Sequence, residues 1–248
     1  MRGPGPILRT MFFLSALTLV ASIPAQTPAQ KRPNFSGSWR VQYTPNLAEA
    51  LGHEPPYTAL GAERWRTVDT AKDPTGVCLP PGPSRVLTSP FPFIIVQQEN
   101  MIALLFEYQT LWRAIYMDGR RHPADIADYP EFMGHSIGQW EGDILVVDTV
   151  AINERTWLDT AGHEHSTKLH LTERFRKTSD DKIEWTATFE DPVFYTKPWS
   201  LTRVFTKFDD SKDQDRILPY TCTENNRDVQ HLVPNQPNLN YRYQPEKQ

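Results

Sequence analysis

Cysteine is nearly absent: only Cys78 and Cys222 occur among 248 residues. Two thiols cannot build a disulfide scaffold that replaces a hydrophobic core, and alone they cannot complete a tetrahedral zinc centre. An excess of positive charge is missing too. Lys and Arg number 26 against 30 Asp and Glu, a formal net charge of −4, with no run of one sign. Nucleic acid and anionic membrane surfaces are therefore excluded as expected partners. No G-x-S-x-G elbow, H-E-x-x-H helix, P-loop or dinucleotide fingerprint is present, so serine-triad hydrolysis and nucleotide chemistry find no support. Long apolar runs are also lacking: the longest, residues 11–21, falls short of the roughly 20 residues that a spanning helix wants.

That short run has the layout of an export signal. Arg2 and Arg9 flank a start without acidic residues, the apolar core follows, and small residues precede a polar stretch. Residues 1–25 are expected to be a signal peptide cleaved after Ala25, with Ala29 the second choice and an uncleaved anchor the alternative. Residues 26–33 read as a flexible linker and 34–248 as one domain. Cleavage removes two arginines and no acid, taking the charge from −4 to −6. The expected location is the periplasm or the medium, with no membrane span after cleavage. In an oxidising compartment an isolated pair of cysteines predicts a Cys78–Cys222 disulfide. Closing so long a loop is worth on the order of 4 kcal/mol, less any strain.

The mature chain reads as strand after strand. Trp39, Val41 and Tyr43 share one face of a first strand, and residues 47–51 and 58–65 suit short helices. A loop at 73–83 is too rich in proline for a ladder position; proline occurs 22 times in all. Runs at 93–97, 102–108, 111–117, 136–140, 144–150, 169–176, 183–190 and 201–208 follow, with a further candidate at 216–223. Glu141-Gly142-Asp143 between two of them is a hairpin signal. No helical pattern long enough for parallel crossovers intervenes. The fold expected is all-β: a closed antiparallel barrel with short N-terminal helices and long proline-rich loops, or alternatively a β-sandwich.

Gly37-Ser38-Trp39 on the first strand resembles the G-x-W of lipocalins and other calycins. That resemblance implies a barrel whose floor is closed by the tryptophan, with a late arginine across it, here Arg174, Arg176 or Arg203. The stretch Gly134-His135-Ser136-Ile137-Gly138-Gln139-Trp140-Glu141-Gly142-Asp143, continuing to Thr149, resembles a group of exported bacterial proteins. It implies export and no particular activity.

Five of seven histidines fall between residues 122 and 170, among many carboxylates. His135, Asp148, His170 and Glu173 are the candidate catalytic residues, a histidine moving a proton while a carboxylate orients it; His122 is an alternative to His135. Asp148 interrupts an apolar strand and faces inward if Ile144 and Val146 do, outward if Leu145, Val147 and Thr149 are the inward set. Glu173 is either a carboxylate on an apolar wall, or His170, Thr172, Arg174 and Arg176 line a polar lumen. His163 and His165, spaced i and i+2, are candidate ligands of a divalent metal, with His170 nearby. Arg113, Tyr116, Trp140 and Trp157 are candidate ligand-binding residues. The function expected is an exported barrel that binds a small organic ligand in a pocket of histidine, carboxylate and aromatic groups. The alternative is a secreted hydrolase or lyase for a small carbohydrate-like or aromatic substrate, with or without a metal.

Overall fold

Alternating side chains produce nine strands among the described residues: β1 (Gly37–Val41), β2 (Phe93–Gln97), β3 (Met101–Phe106), β4 (Trp112–Tyr116), β5 (His135–Glu141), β6 (Ile144–Val150), β7 (His170–Ser179), β8 (Lys182–Glu190) and β9 (Trp199–Lys207). Each strand pairs with the next, and β9 pairs back with β1, so the sheet closes into a barrel rather than splitting into a sandwich. Closure leaves no unpaired edge. The computed structural model describes residues 32–209, 211 and 216–222, together with Met1, Gly3 and Gly5. The expected signal peptide and most of the linker lie outside the described residues. By compactness the chain divides between residues 30 and 31, and the barrel belongs to the second unit.

The expectation of a wholly antiparallel barrel needs one correction. The β4–β5 seam is parallel, with only Ile115↔Ser136 and Tyr116↔Ile137 in register. The segment 117–134 between those strands is long enough to return the chain to the same end of the sheet, which a short hairpin cannot do. It does so without an α-helix, using one short 3-10 turn at Ile126–Asp128.

Strand parity settles which faces point inward. Leu145, Val147 and Thr149 are buried on β6, and Leu171, Glu173 and Phe175 on β7. Asp148 and His170 therefore face outward, and Glu173 stands on an otherwise apolar wall. The inward positions are filled by large side chains: Phe205 on β9 meets Phe93 at 5.1 Å, Trp185 at 5.6 Å and Phe175 at 6.3 Å between ring centroids. Rings from three other strands thus meet on Phe205, and the polar lumen expected as one alternative gives way to a packed core. Burying each such side chain contributes about 1.5–3 kcal/mol as an upper figure.

Among the described residues three short α-helices decorate the barrel. Asn46 caps α1 (Leu47–Leu51) through its side-chain oxygen to Ala48 N (3.0 Å), and Thr58 caps α2 (Ala59–Arg66) to Gly61 N (3.1 Å). The third, α3 (Pro83–Leu87), lies wholly buried and begins at the last residue of the expected proline-rich loop, in a stretch to which the sequence reading assigned no element. Among residues 216–222 there is no strand; instead Tyr220 stacks on Phe91 at 5.4 Å, and Cys222 is bonded to Cys78 with Cα atoms 5.6 Å apart. No helix among the described residues is long and apolar enough to cross a membrane. Trp39 is buried on β1, and the three arginines that the G-x-W resemblance put forward are each engaged. Arg174 and Arg176 pair with Glu141 and Glu184, and Arg203 donates to the Gln42 carbonyl. The buried arginine of the barrel wall is Arg113.

Candidate functional site

Two polar layers lie back to back on the wall formed by β4 to β8. The inner layer belongs to inward-facing positions. Arg113 on β4 and Glu173 on β7, 1% and 0% exposed, form a bidentate ion pair, with Nη1 to Oε1 at 3.0 Å and Nη2 on Oε2. Arg113 Nε donates to Ser136 Oγ (3.0 Å), Nη2 donates to Thr149 Oγ1 (2.8 Å), and Trp185 Nε1 donates to Glu173 Oε1 (3.0 Å). Ser136 and Thr149 are register partners across β5 and β6, so the pleat alone delivers both hydroxyls to the guanidinium. Every nitrogen of Arg113 and both oxygens of Glu173 have partners, which is what a charge pair needs to persist in a core.

The outer layer uses the opposite parity of the same strands. Tyr116, His135, Asp148 and His170 come from β4, β5, β6 and β7, and His122 joins them from the crossover segment. His170 Nε2 hydrogen-bonds Asp148 Oδ1. His122 Nε2 lies 3.6 Å from Asp148 Oδ2, an electrostatic contact too long for a hydrogen bond. His122 Nδ1 and His135 Nδ1 are 2.7 Å apart. The Tyr116 ring stacks on His135 at 5.4 Å, and the Arg120 guanidinium lies 3.9 Å over Tyr116, held by Asp118. The bond from His170 holds the Asp148 carboxyl below its usual range and raises His170 in turn. Burial, then the neighbouring His122, pushes His135 down.

Between the layers opens a cleft of about 300 Å³. The parallel register stops at Ile115↔Ser136, and the chain on either side of that point separates. On the far side, segment 131–134 is drawn toward residues 151–153 by Glu131 N to Ala151 O and Asn153 N to Glu131 O, both 2.9 Å. Gly134 makes the bend into β5 at φ 64°, where a Cβ would fall 2.7 Å from Ile152 Cγ1. Trp112, Tyr116, Phe132 and Met133 give the cleft apolar walls, Glu131 and His135 line it with polar groups, and Arg113 and Ser136 reach it from the inner layer. Trp112 is 66% exposed, an aromatic that the fold leaves uncovered.

The structure thus gathers Arg113, Tyr116, His135, Asp148, His170 and Glu173 at one seam, in two layers. It separates the other candidates. Trp140 stacks on Phe35 at 5.7 Å, away from the seam cleft. Trp157 and His165 line a different cleft, of about 630 Å³, with Arg64 and Glu164. His163 and His165 do not share a ligand site: His163 Nδ1 bonds Asp159 Oδ2 (2.6 Å), while His165 bonds Thr156 Oγ1 through Nε2 (2.7 Å) and the Ser166 carbonyl through Nδ1 (3.0 Å). Among the described residues no group of three or more His, Cys, Asp or Glu is arranged to hold a metal.

Sequence reasoning missed the walls Phe132 and Met133, which precede β5 in a stretch without periodicity. It also missed Asp159 as the partner of His163. Asp159 accepts Leu47 N (2.7 Å), Gly162 N (3.0 Å) and His163 N (3.1 Å) as well, fastening α1 to the 159–163 loop. The spacing Asp-x-x-Gly-His was the available signal.

No family model and no curated protein matches the chain. Among solved structures it is similar to a mutant of the fluorescent protein UnaG, with 12% identity, 70% of this chain and 95% of that one covered, and a TM-score of 0.35. It is also similar to an abundant heat soluble (SAHS) protein from Ramazzottius varieornatus, with 10% identity, 70% and 94% covered, and a TM-score of 0.27.

Proposed function

We propose that this chain is an exported β-barrel protein that binds a small organic ligand with an aromatic part in the cleft at the β4–β5 seam. The observation that carries this reading is the coincidence at the parallel β4–β5 seam of an uncovered aromatic, further apolar walls and a histidine with a free ring nitrogen. The packed core leaves the outer wall as the place for a ligand, and about 300 Å³ suits one or two rings. The larger cleft is less suited, because both nitrogens of its histidine are engaged. Export is supported by the signal-like start and by the Cys78–Cys222 bond, which persists in oxidising compartments.

The test is a titration of the purified mature chain with a panel of one- and two-ring aromatic compounds, followed by tryptophan fluorescence. Binding is expected to quench Trp112, and Trp112→Ala is expected to weaken affinity about three- to tenfold, the worth of one aromatic contact. Absence of binding across the panel, or binding indifferent to Trp112→Ala and Tyr116→Ala, overturns the proposal.

A further inference from the structure

We infer that the outer face of β2, β3 and β4 is an interface on which a second copy of this chain docks, sheet against sheet. Neither β2 nor β3 lines the seam cleft, so most of this surface is separate from the ligand reading.

Strand alternation fixes the face. Ile95, Ile102, Leu104 and Phe106 point into the core and are buried, so their neighbours in sequence point out. Leu105 stands between Ile94 and Trp112 in the ladder, and Ala103 stands between Val96 and Ala114. With Met101 beside Tyr116, the face carries no charge and, apart from the Tyr116 hydroxyl, no polar side chain. Val96, Met101 and Leu105 are 37%, 40% and 41% exposed. On β7, β8 and β9 the same outward parity carries polar pairs: Thr186 bonds Thr202, Thr188 bonds Ser200, and Arg176 pairs with Glu184. Near-continuous apolar runs such as Phe93-Ile94-Ile95-Val96 and Met101 to Phe106 belong to strands covered on both sides. Here only the inner side is covered, and an uncovered apolar patch of this extent marks a docking surface.

Charge, shape and area select another copy as the second layer. The face is uncharged, so it meets itself without repulsion, although the chain as a whole carries 30 acidic against 26 basic residues. It offers no charge by which an unlike partner, or the headgroups of a lipid surface, would be selected. A twofold axis needs none, because each copy presents what the other requires. Its shape is that of a sheet, which packs about 10 Å from a second sheet. The outward side chains, on strands about 4.8 Å apart and spaced about 6.7 Å along each, cover on the order of 250 Å². An ordinary interface takes about 800 Å² per partner. This face is therefore the apolar centre of an interface with a polar rim, and the dimer forms at micromolar rather than nanomolar concentration.

Sedimentation velocity of the mature chain between about 1 and 200 µM tests this, and a reversible shift from monomer to dimer across that range is expected. Leu105→Glu and Leu105→Lys are each expected to weaken association about tenfold or more, because each sets like charges against one another in the interface. An equimolar mixture of the two variants is expected to restore association, which also shows that both fold. Thr186→Glu, on the outer face of β8, leaves association unchanged. A chain that stays monomeric at about 200 µM overturns the inference, whether or not phosphatidylcholine vesicles take it up. So does a dimer indifferent to charge at Leu105, or a loss in both variants that the mixture does not recover. Every measurement is made without ligand, so the binding proposal stands or falls separately.

Discussion

Arg113 and Glu173 illustrate how a single residue can be indispensable without being stabilising. A buried ion pair returns little net stability because both ions lose water, yet removing one partner strands the other. Glu173→Gln is accordingly expected to cost about 3–5 kcal/mol in urea denaturation, while Arg113→Met with Glu173→Leu recovers most of that loss. A double variant no more stable than Glu173→Gln would show that the pair contributes net stability. His165 gives a second residue-scale expectation. Burial lowers its proton affinity in the fold, so below the ordinary histidine value the unfolded chain binds a proton that the folded chain refuses. Stability then falls as pH drops from that value toward the depressed one, with a slope of up to about 1.4 kcal/mol per pH unit. His135 acts in the same direction. His165→Gln is expected to flatten the slope of melting temperature against pH, and an unchanged slope would contradict the assignment. Legibility at this scale was partial. Alternation in Leu169-His170-Leu171-Thr172-Glu173 placed Glu173 opposite His170 in face, but which face is inside depends on neighbouring strands, and no local signal carries that.

At the scale of elements, strands were legible because a half-buried strand must alternate, and proline and glycine mark its ends. The parallel seam was not, since its direction is set by how residues 117–134 traverse the barrel end rather than by any pattern within β4 or β5. Likewise α3 was hidden in a proline-rich stretch, although Gly82-Pro83 is a permissible helix start. The short α2 shows an element that exists by docking alone, being too brief to stand in water. Thr58 N bonds Phe194 O (2.9 Å), Thr58 Oγ1 bonds Val193 O (2.7 Å), and Trp65 stacks on His163 at 4.1 Å. In a free helix Gly61→Ala would gain about 1 kcal/mol. Here the new Cβ would lie 2.2 Å from the Phe194 carbonyl oxygen, a backbone atom that cannot step aside. The clash outweighs the propensity, so Gly61→Ala is expected to lower the melting temperature and to speed tryptic cleavage after Arg64 and Arg66. A rise in melting temperature would show that α2 does not sit against Phe194.

For the whole molecule, counting strands without crossover helices narrowed the fold to a barrel or a sandwich, and the Cys78–Cys222 bond was legible as an isolated pair in a chain expected to be exported. What no count could supply was the filling of the interior, which moves the candidate site from a lumen to a cleft in the wall. The disulfide has its own consequence at this scale, because it joins the segment after β9 to the loop before α3. With the cysteines 144 positions apart in sequence, the loss of unfolded-state freedom sets a ceiling of about 4–5 kcal/mol. The segment is also held without sulfur: Leu218 N bonds Glu107 Oε2 (2.9 Å), Thr110 Oγ1 bonds Tyr220 O (3.2 Å), and Tyr220 stacks on both Phe91 and Tyr108. These contacts act in the folded state, whereas the cross-link acts mainly on the unfolded chain, so the two are separable. The paired variant Cys78→Ser with Cys222→Ser is expected to lose stability up to that ceiling in urea while its folded baseline keeps the Tyr220 contacts, with no faster tryptic cleavage after Arg216. Tyr220→Ala with the disulfide intact is expected to do the reverse: a smaller loss of stability and faster local cleavage. If instead the serine pair alone frees Arg216 to trypsin, the bond is what holds the segment down.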